Sequence, residues 1–565
     1  MEKFSKATPR ERAQYLLNRW QTLKEERTPF FNKWKEVSDL ISVYSGRFEN
    51  DDFYKTRVEK LILDSSPSYY LNILANGMFS NSSPSSRPWF RVEANDSELN
   101  QSYAVNNYCD LVYKNLLKVF SSSNTYQTLQ SMFKELALFG ISASIVYDDD
   151  KSVLRHHLLT AGEYCVSCDS NGDIDTLYRN FYLNVIQAIK AFGYDNCPQQ
   201  IKDLYNKGNL HQRFEFIHAI EPRIDRDLSA IDNKNMQYAS YYMCIADNVN
   251  TIITESGFDD FPVICPRWEV LGGHVYGNSP CISALPDIKQ LYIETYRKAE
   301  LIENYTKPPL QVPLTARQNP ISLQPGAINY IQNTGTENNI KPIVNSTGDL
   351  SALMTDIENI NAHIRQQLFY DLFMRVSQGA DSSRRTTVEI YAIQNEQMQA
   401  LGSVVERNQN EMLGKLVNLA YKKLLKADLL PPPPQELSDS GLNIEFTSVL
   451  AQSQKSVDIN AVDRFISAVS AVAQIKPEIL DRLDADGYVD EYRDRLGVAP
   501  KIIRSKEDAD KLRQQRAEAQ QQQQQMQQQT MDAQNMATMA QAQKSGADAS
   551  LATQELDTLG GGSLY

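Results

Sequence analysis

Two stretches near the middle of the chain repeat apolar residues at intervals of three and four, which is the spacing of one face of an α-helix. The first stretch covers residues 285–305 and ends before Pro308 and Pro309, because proline cannot donate a helical hydrogen bond. The second covers residues 350–376, and its roughly 27 residues span about 40 Å at the helical rise. Between them, short β-type runs alternate with Pro, Gly and Asn turns. The pattern predicts two antiparallel helices that carry a small β tip.

Each of these two helices has an apolar stripe that a single neighbouring helix covers only in part. The remaining apolar surface needs a second partner, and two arrangements supply one. The helical pair packs against the rest of its own chain, or it packs against copies of itself. Periodicity does not distinguish the two arrangements, so both stay open at this point.

Helical patterns also flank a β-rich block. Thr8 and Glu11 have the capping-box spacing with Pro9 at the first helical position, Pro29 predicts a restart of that helix, and Pro67 opens the next one. Two further helices are expected between residues 99 and 139. Seven strands follow, with a helical insertion near 184–206: 141–147, 153–159, 163–168, 174–183, 214–220, 241–246 and 263–271. The fold class predicted is α+β.

The C-terminal segment has a composition of its own. From Lys501 to Ser545 neither Gly nor Pro interrupts the chain, and Gln dominates residues 520–529. Low complexity of this kind is typical of disorder. Gln is also a fair helix former, and Pro500 and Gly546 are suitable start and stop signals. A disordered tail and a single long helix are therefore both open.

Composition narrows the class of protein. A chain of 565 residues is expected to form two or more domains with their own cores. The net charge of −13 argues against a protein that grips nucleic acid over its whole surface. The first residues lack an apolar core and no apolar run approaches 18 residues, so we expect neither a signal peptide nor a membrane span. Seven cysteines, an odd number, indicate reduced thiols.

Cys165 and Cys168, with the adjacent histidines His156 and His157, are the candidate metal ligands. A structural zinc site needs four converging ligands, and the sequence has no second CxxC pair. The two histidines are neighbours in a predicted strand, so their side chains point to opposite faces and at most one can join the cysteines. We therefore expect buried thiols in a strand and no metal.

Motifs for catalysis are absent from the sequence. It contains no GxxxxGK[ST] nucleotide loop, no HExxH motif and no GxSxG motif. The acidic residues around Gly172 predict a hairpin turn. Residues 484–487 predict a turn as well, because Arg482 and Arg493 stand where a calcium loop needs ligands. We expect no enzyme activity, no cofactor and no metal.

Five groups of residues, in order along the chain, resemble the signature of the head-to-tail connecting (portal) proteins of podovirus-type tailed bacteriophages. They are LNILANGMFS (71–80) with SRPWF (86–90), YGNSP (276–280) leading into ALPDIK (284–289), RTTVEI (385–390), FTS (446–448) with LAQ (450–452), and DEY (490–492) before LGV (496–498). The resemblance covers nearly the whole chain to about residue 503. Five motifs in the family's order are specific as a set.

The resemblance implies the portal-protein fold, assembled as a ring that is a dodecamer in family members. It implies these parts: wing, 1–282; first stem helix, 283–306; clip, 307–348; second stem helix, 349–376; channel loop, 377–388; long wing and crown helix, 389–429; crown, 430–499; and C-terminal barrel helix with a flexible tail, 500–565. In that arrangement the stem helices bury their remaining apolar surface on neighbouring subunits.

The resemblance also implies a function. Double-stranded DNA is packaged and ejected through the ring at one capsid vertex, and the ring binds the terminase large subunit and later the head-tail adaptor and tail proteins. Major capsid and scaffolding proteins are further expected partners, and no membrane is involved. The implied location is the virion, with the host cytoplasm during assembly.

Two sets of residues follow from the resemblance as site residues. The channel loop places Ser382, Ser383, Arg384 and Arg385 near the DNA, where contacts to phosphates are independent of sequence and sensitive to salt. Without the resemblance these residues form an ordinary solvated loop between helices. The resemblance also implies an interface between subunits along the stem, formed by Ile357, Ile364 and Leu368.

Two alternatives belong to other classes of protein. One is a metal- or thiol-dependent enzyme built on the β-rich block, which only the cysteines and the histidine pair favour. The other is a structural tail protein that is not a portal. The expectation from the motifs is the portal.

Overall fold

The computed structural model describes residues 8–48, 62–96, 99, 102–227, 229–230, 232–245, 251–307, 310–311, 341–342, 350–378, 401–437, 442–446, 466–469, 487, 489 and 506–558. The chain divides into two compact units, Met1–Asp458 and Ile459–Tyr565. Within the described residues, no helix is both long enough and apolar enough to cross a lipid bilayer.

The helices are α1 Pro9–Ile41, α2 Ser66–Ser82, α3 Tyr103–Ser122, α4 Thr125–Phe139, α5 Val185–Phe192, α6 Gln199–Asn206, α7 Pro280–Ser283, α8 Leu285–Thr306, α9 Leu350–Gln367, α10 Tyr370–Gln378, α11 Lys415–Lys426 and α12 Lys506–Thr558. Residues 401–408 are also helical, and a π-helical segment, Gln409–Gly414, joins them to α11. The strands are β1 Phe90–Ala94, β2 Ala143–Asp149, β3 Val153–Leu159, β4 Tyr164–Cys168, β5 Ile174–Asn184, β6 Arg213–Pro222, β7 Tyr238–Ile245, β8 Thr251–Phe258, β9 Val263–Ile264, β10 Leu310–Gln311, β11 Lys341–Pro342 and β12 Leu442–Phe446.

Helix α1 begins with the predicted capping box, since the Thr8 side chain accepts from the Glu11 N–H and the Glu11 side chain accepts from the Thr8 N–H. The predicted restart at Pro29 is wrong, because α1 continues through this proline to Ile41. A proline inside a helix costs about 3 kcal/mol. Trp20 in the first half and Trp34 in the second are both buried against the body, and this packing outweighs the local cost.

Two antiparallel sheets form the β-rich block. The larger has the order β4-β5-β6-β7-β8, and the smaller has the order β3-β2-β9. One face of the larger sheet packs on α1, where Leu16, Trp20 and Leu23 meet Tyr178 and Ile217. Helices α5 and α6 pack on the opposite face of the same sheet, against Phe216 and Cys244, which confirms the predicted helical insertion.

Two strand predictions in this block fail for physical reasons. Strand β8 is absent from the prediction, because an edge strand that is half-buried and contains Thr, Glu, Ser and Gly lacks a strong apolar alternation. The strand predicted over 263–271 has only two residues in β9. Pro266 comes two residues after the end of β9 and cannot donate to a ladder.

The largest core lies between α2, α3, α4, the smaller sheet and the π-helical region, around Trp34, Trp89, Phe90 and Phe133. Strand β12 pairs with β1 in an antiparallel register, Phe90 opposite Phe446. Residues 442–446, predicted as part of the crown, are therefore hydrogen-bonded to a strand of the predicted wing. Most of the remaining predicted crown lies outside the described residues, and the part boundaries stay a prediction.

Helix α12 confirms the helical alternative for the Gln-rich segment. It continues through Gly546, where a stop was predicted, to Thr558. Its side chains from 513 to 544 are exposed, including four methionines: Met526, Met531, Met536 and Met539, whereas Ala509 and Leu512 are half-buried. Residues 513–544 therefore bury no apolar side chain among the described residues.

Candidate functional site

Helices α8 and α9 form the predicted antiparallel pair, which we call the arm. Gln367, near the end of α9, donates from Nε2 to Oδ2 of Asp287 at the start of α8 over 2.7 Å, so the two helices run in opposite directions. The hydroxyl of Tyr292 donates to the carbonyl oxygens of Leu40 and Asp64. These contacts fix one end of the arm to the body.

Burial along the arm is uneven. On α8 the buried residues all lie in its first eight positions, ending with Tyr292. On α9 they lie from Ile357 onward, towards its C-terminal end. The opposite end of the arm exposes large apolar side chains: Ile293, Tyr296, Ile302, Tyr305 and Met354, each between 45% and 55% exposed. An apolar surface of this kind indicates contact with another protein chain.

The three predicted stem-interface residues are already buried within one chain. Ile357 is 9% exposed, and Ile364 and Leu368 are fully buried against α8 and the body. Their role inside the chain is therefore packing, and a charge placed there would destabilise the arm itself. Their contribution to a contact between subunits stays a prediction.

The second predicted stem helix is not continuous. It breaks between α9 and α10, where Phe369 has a φ of 53°, the left-handed region that is costly for a phenylalanine. The prediction of one unbroken helix over 350–376 is therefore wrong. The ring of Phe369 lies 6.3 Å from that of Trp268, so packing holds the break in place.

Helix α10 packs across α2. The rings of Tyr70 and Tyr370 are 4.7 Å apart, and a Cβ added at Gly77 would lie 2.4 Å from the Phe373 ring. Gly77 is therefore needed for the close approach of α10. The predicted channel loop begins at the end of α10, so this packing sets the position from which the loop starts.

The loop residues themselves lie outside the described residues. This applies to Ser382, Ser383, Arg384 and Arg385, whose DNA-facing role stays a prediction. Of the predicted clip, the described part is the pair β10 and β11, which is antiparallel with Leu310 opposite Pro342. This pairing confirms a β tip between the two arm helices.

The candidate metal ligands do not converge. Cys165 is fully buried in the core under α1, and burial raises the pKa of its thiol to about 11. Cys168 is partly exposed, and Arg267 lies close to its sulfur. His156 contacts the hydroxyls of Ser144 and Thr125 through its two ring nitrogens. Across the described part of the chain, no group of His, Cys, Asp or Glu is arranged to hold a metal ion.

The surroundings of His156 and His157 lower the pKa of both side chains. Burial lowers the pKa of His156 to about 4, and Lys423 contributes in the same direction. Burial, followed by the charge of Arg179, likewise lowers the pKa of His157 to about 4.

The turn around Gly172 is a hairpin turn as predicted, with the N–H groups of Asn171 and Asp173 donating to Oδ1 of Asp169.

Sequence reasoning missed a buried ion pair. The guanidinium of Arg267 donates to both carboxylate oxygens of Glu411, with Nη2 2.7 Å from Oε1, and Glu411 lies in the π-helical segment. Nothing in the periodicity of the long helix signals a π turn, and the partners are far apart in the chain. The contact joins the β-rich block to the helix that follows the channel loop.

Comparison with known proteins gives a consistent assignment. Residues 13–503 match the family described as bacteriophage head to tail connecting protein. The probable portal protein of Bordetella phage BPP-1 is 40% identical over 508 residues, 89% of this chain and 91% of the relative. The portal protein of Salmonella phage epsilon15 is 33% identical over 532 residues, 94% of this chain and 96% of the relative.

Solved structures with a similar chain include the neck of a native gene transfer agent particle with C12 symmetry, at 9% identity, 72% of this chain, 86% of that chain and a TM-score of 0.33. The virion of a native gene transfer agent gives 10% identity, 77% of this chain, 90% of that chain and a TM-score of 0.34. The sequence matches are the decisive ones, since they cover most of both partners. The chain therefore belongs to the family of bacteriophage head to tail connecting (portal) proteins.

Proposed function

We propose that copies of this chain assemble into a ring at one vertex of the phage capsid, and that double-stranded DNA is packaged and ejected through its centre. A dodecamer is the proposed subunit number. The proposed partners are the terminase large subunit, the head-tail adaptor and tail proteins, and the major capsid and scaffolding proteins. The role is structural, without catalysis, in the virion and earlier in the host cytoplasm.

The observation that supports assembly into a ring is the exposed apolar surface of the arm. At about 100° of rotation per helical residue, Ile293 and Tyr296 project to one side of the buried stripe of α8, Ile302 continues that stripe, and Tyr305 projects to the other side. A helix with apolar residues on both flanks fits between two neighbours. Subunits placed head to tail around a closed ring give each arm two different neighbours of this kind.

The test replaces apolar residues on one flank of the arm. Ile293→Asp with Tyr296→Asp places two charges in the proposed contact while leaving the buried stripe of α8 intact. Burying unpaired charges costs several kcal/mol per subunit, so the ring should dissociate into monomers or small oligomers. Light scattering and negative-stain electron microscopy of the purified protein measure the change.

A matched control uses Ile224→Asp with Leu271→Asp, whose side chains are 49% and 53% exposed on other parts of the body. This variant should form rings as the unmodified protein does. Intact rings in the arm variant, with a normal circular dichroism spectrum, would rule out the arm as the contact between subunits.

The DNA role of the loop is a second part of the proposal. Arg384 and Arg385 are adjacent cations in a Gly-Ser loop that directly follows α10, in a chain whose net charge is −13. Replacing both with Ala should leave ring assembly intact and change the free energy of unfolding by less than about 0.5 kcal/mol. Packaging or retention of DNA should fall, whatever the DNA sequence, because phosphate contacts are lost.

The control for this experiment is Lys151→Ala with Lys207→Ala, which removes the same charge from exposed positions in the β-rich block. Genome retention measured by nuclease protection should be normal in the control. Normal retention in the arginine variant as well would make the loop an ordinary connector.

A further inference from the structure

A narrow cleft opens between α1, the loop after it and the edge of the larger sheet. It encloses about 80 Å³. Helix α1 contributes Trp20, Lys24 and Arg27 to its wall, the loop contributes Arg47, and β5 contributes Tyr182. The charged residues lining the cleft are all cations, in a chain whose net charge is −13.

Each cation of the cleft lies over an aromatic ring. The Lys24 ammonium is 5.6 Å from the centre of the Trp20 ring, and the Arg47 guanidinium is 5.0 Å from that of Tyr182. Arg27 lies 5.0 Å from the ring of Phe31. Such contacts orient a cation without neutralising it.

The three cations also lack acidic partners. Among the residues that the structure describes, none of the three has a carboxylate oxygen within 4.0 Å. Burial raises the pKa of the Glu163 carboxyl, and the charges of Arg179 and then Arg47 oppose that rise, so Glu163 interacts with Arg47 without forming an ion pair. Three cations that converge with no directly paired carboxylate among the described residues favour an anion at this place.

Arg27 supplies the second observation. It is only 5% exposed, and its Nη1 donates to the carbonyl oxygens of Gly162 and Tyr164 at 2.8 and 2.7 Å. Its Nε is buried and has no hydrogen-bond partner among the described groups. An unpaired N–H on a buried cation is unfavourable, and an oxyanion in the cleft would supply the missing acceptor.

Hydrogen bonds and a close backbone approach fix the shape of the cleft. The Arg47 N–H donates to the carbonyl oxygen of Ala161, and the Gly46 N–H donates to the hydroxyl of Thr160. Gly162 has a φ of +94°, and a Cβ there would lie 2.0 Å from the carbonyl oxygen of Arg47. Only glycine lets the loop approach the sheet so closely, so the position of Arg47 is fixed before any ligand binds.

We propose that this cleft binds a carboxylate of an acidic protein segment, either an Asp or Glu side chain or a C-terminal carboxylate. Its volume admits one such group, and guanidinium groups match the planar carboxylate. A DNA duplex presents its phosphates along a broad rod, and binding it needs an extended basic surface that this acidic chain does not offer here. The residues that line the cleft are not part of the arm.

The experiment measures the binding of fluorescein-labelled hexaglutamate to the full-length protein by fluorescence anisotropy, with hexaglutamine as the neutral probe. Lys24→Gln with Arg47→Gln should weaken hexaglutamate binding by about tenfold or more, since each contact to a charged group is worth well over 1 kcal/mol. Arg27 is kept, because it supports two backbone carbonyls. Binding should also weaken between about 50 mM and 300 mM salt.

The control variant, Lys151→Gln with Lys207→Gln, has the same net charge and should bind hexaglutamate within about twofold of the unmodified protein. Equal loss in both variants, or no binding of hexaglutamate by the unmodified protein, overturns the proposal. A short DNA duplex that displaces hexaglutamate more effectively than unlabelled hexaglutamate, charge for charge, also overturns it and assigns the cleft to nucleic acid.

Discussion

Arg267 donates several hydrogen bonds to one buried carboxylate, that of Glu411. Its backbone N–H and its Nε donate to Oε2 of Glu411, and its Nη2 donates both to Oε1 of Glu411 and to the carbonyl oxygen of Gly172. The side chains of the pair are 5% and 11% exposed. A second cation, Arg407, lies 3.3 Å from Oε1 of Glu411 but is 36% exposed. The two arginines thus bind one carboxylate in very different surroundings.

Replacing Glu411 with Gln should lower the free energy of unfolding by about 3 kcal/mol, because the buried Arg267 then lacks a counter-charge. Arg407→Gln is the matched control on the same carboxylate. It should cost less than about 1 kcal/mol, since an exposed pair is weak. Urea unfolding followed by circular dichroism compares the two midpoints. Similar midpoints in the two variants would contradict the role assigned to the buried pair.

At the scale of elements, the packing of α10 on α2 depends on the absence of one side chain. In an open helix, Gly→Ala stabilises by about 1 kcal/mol. At Gly77 the new Cβ would meet the Phe373 ring at 2.4 Å, and overpacking costs about 1 to 3 kcal/mol. The clash should therefore outweigh the gain in helix propensity.

This balance predicts a change of sign in a double-mutant cycle. Gly77→Ala should destabilise the unmodified protein, and the same substitution should stabilise a Phe373→Ala variant, in which the clash is absent. Differential scanning calorimetry of the four proteins measures both effects. A stabilising Gly77→Ala in the presence of Phe373 would show that α10 is not held against α2 in this way.

The elements that could be predicted are those whose apolar spacing is undisturbed. Helix α8 and strand β3 occur where the pattern places them, because their buried residues recur at regular intervals. The break at Phe369 could not be predicted, since phenylalanine carries no signal for a left-handed backbone. The continuation of α1 through Pro29 could not be predicted either, because tertiary packing overrides the local tendency of proline to end a helix.

For the site residues as well, local sequence patterns predict the elements but not the contacts between them. The arm could be predicted from two periodic stretches, but the exposure of Ile293 against the burial of Ile357 depends on where the arm leaves the body. The cationic cleft could not be predicted, because Lys24 and Arg47 meet Tyr182 only after α1 packs on the larger sheet. Contacts between distant parts of the chain carry no local pattern.

At the scale of the whole molecule, the early and late parts of the chain after residue 437 differ in how much they stabilise the body. Removing residues 506–565 should change the free energy of unfolding of the body by less than about 0.5 kcal/mol, because the side chains of α12 from 513 to 544 are exposed. Removing everything after residue 437 also deletes β12, including Phe446, whose ring stacks 6.5 Å from Trp89.

The longer deletion should therefore destabilise the body by about 2 kcal/mol or more, the value of one buried aromatic side chain. Comparing the two shortened proteins under the same conditions separates the contribution of residues 438–505, which include β12, from that of residues 506–565. A large loss in the variant that lacks only 506–565 would mean that α12 covers part of the body.

The pairing of β1 with β12 also imposes an order in time on biosynthesis. Phe90 leaves the ribosome long before its partner Phe446 exists, and at about 5 to 20 residues per second the intervening roughly 350 residues take about 20 to 70 seconds. During that interval β1 has an unpaired edge, which is a hazard for aggregation. The arm helices α8 and α9 are translated within the same interval, so the nascent chain exposes both surfaces before its body can close.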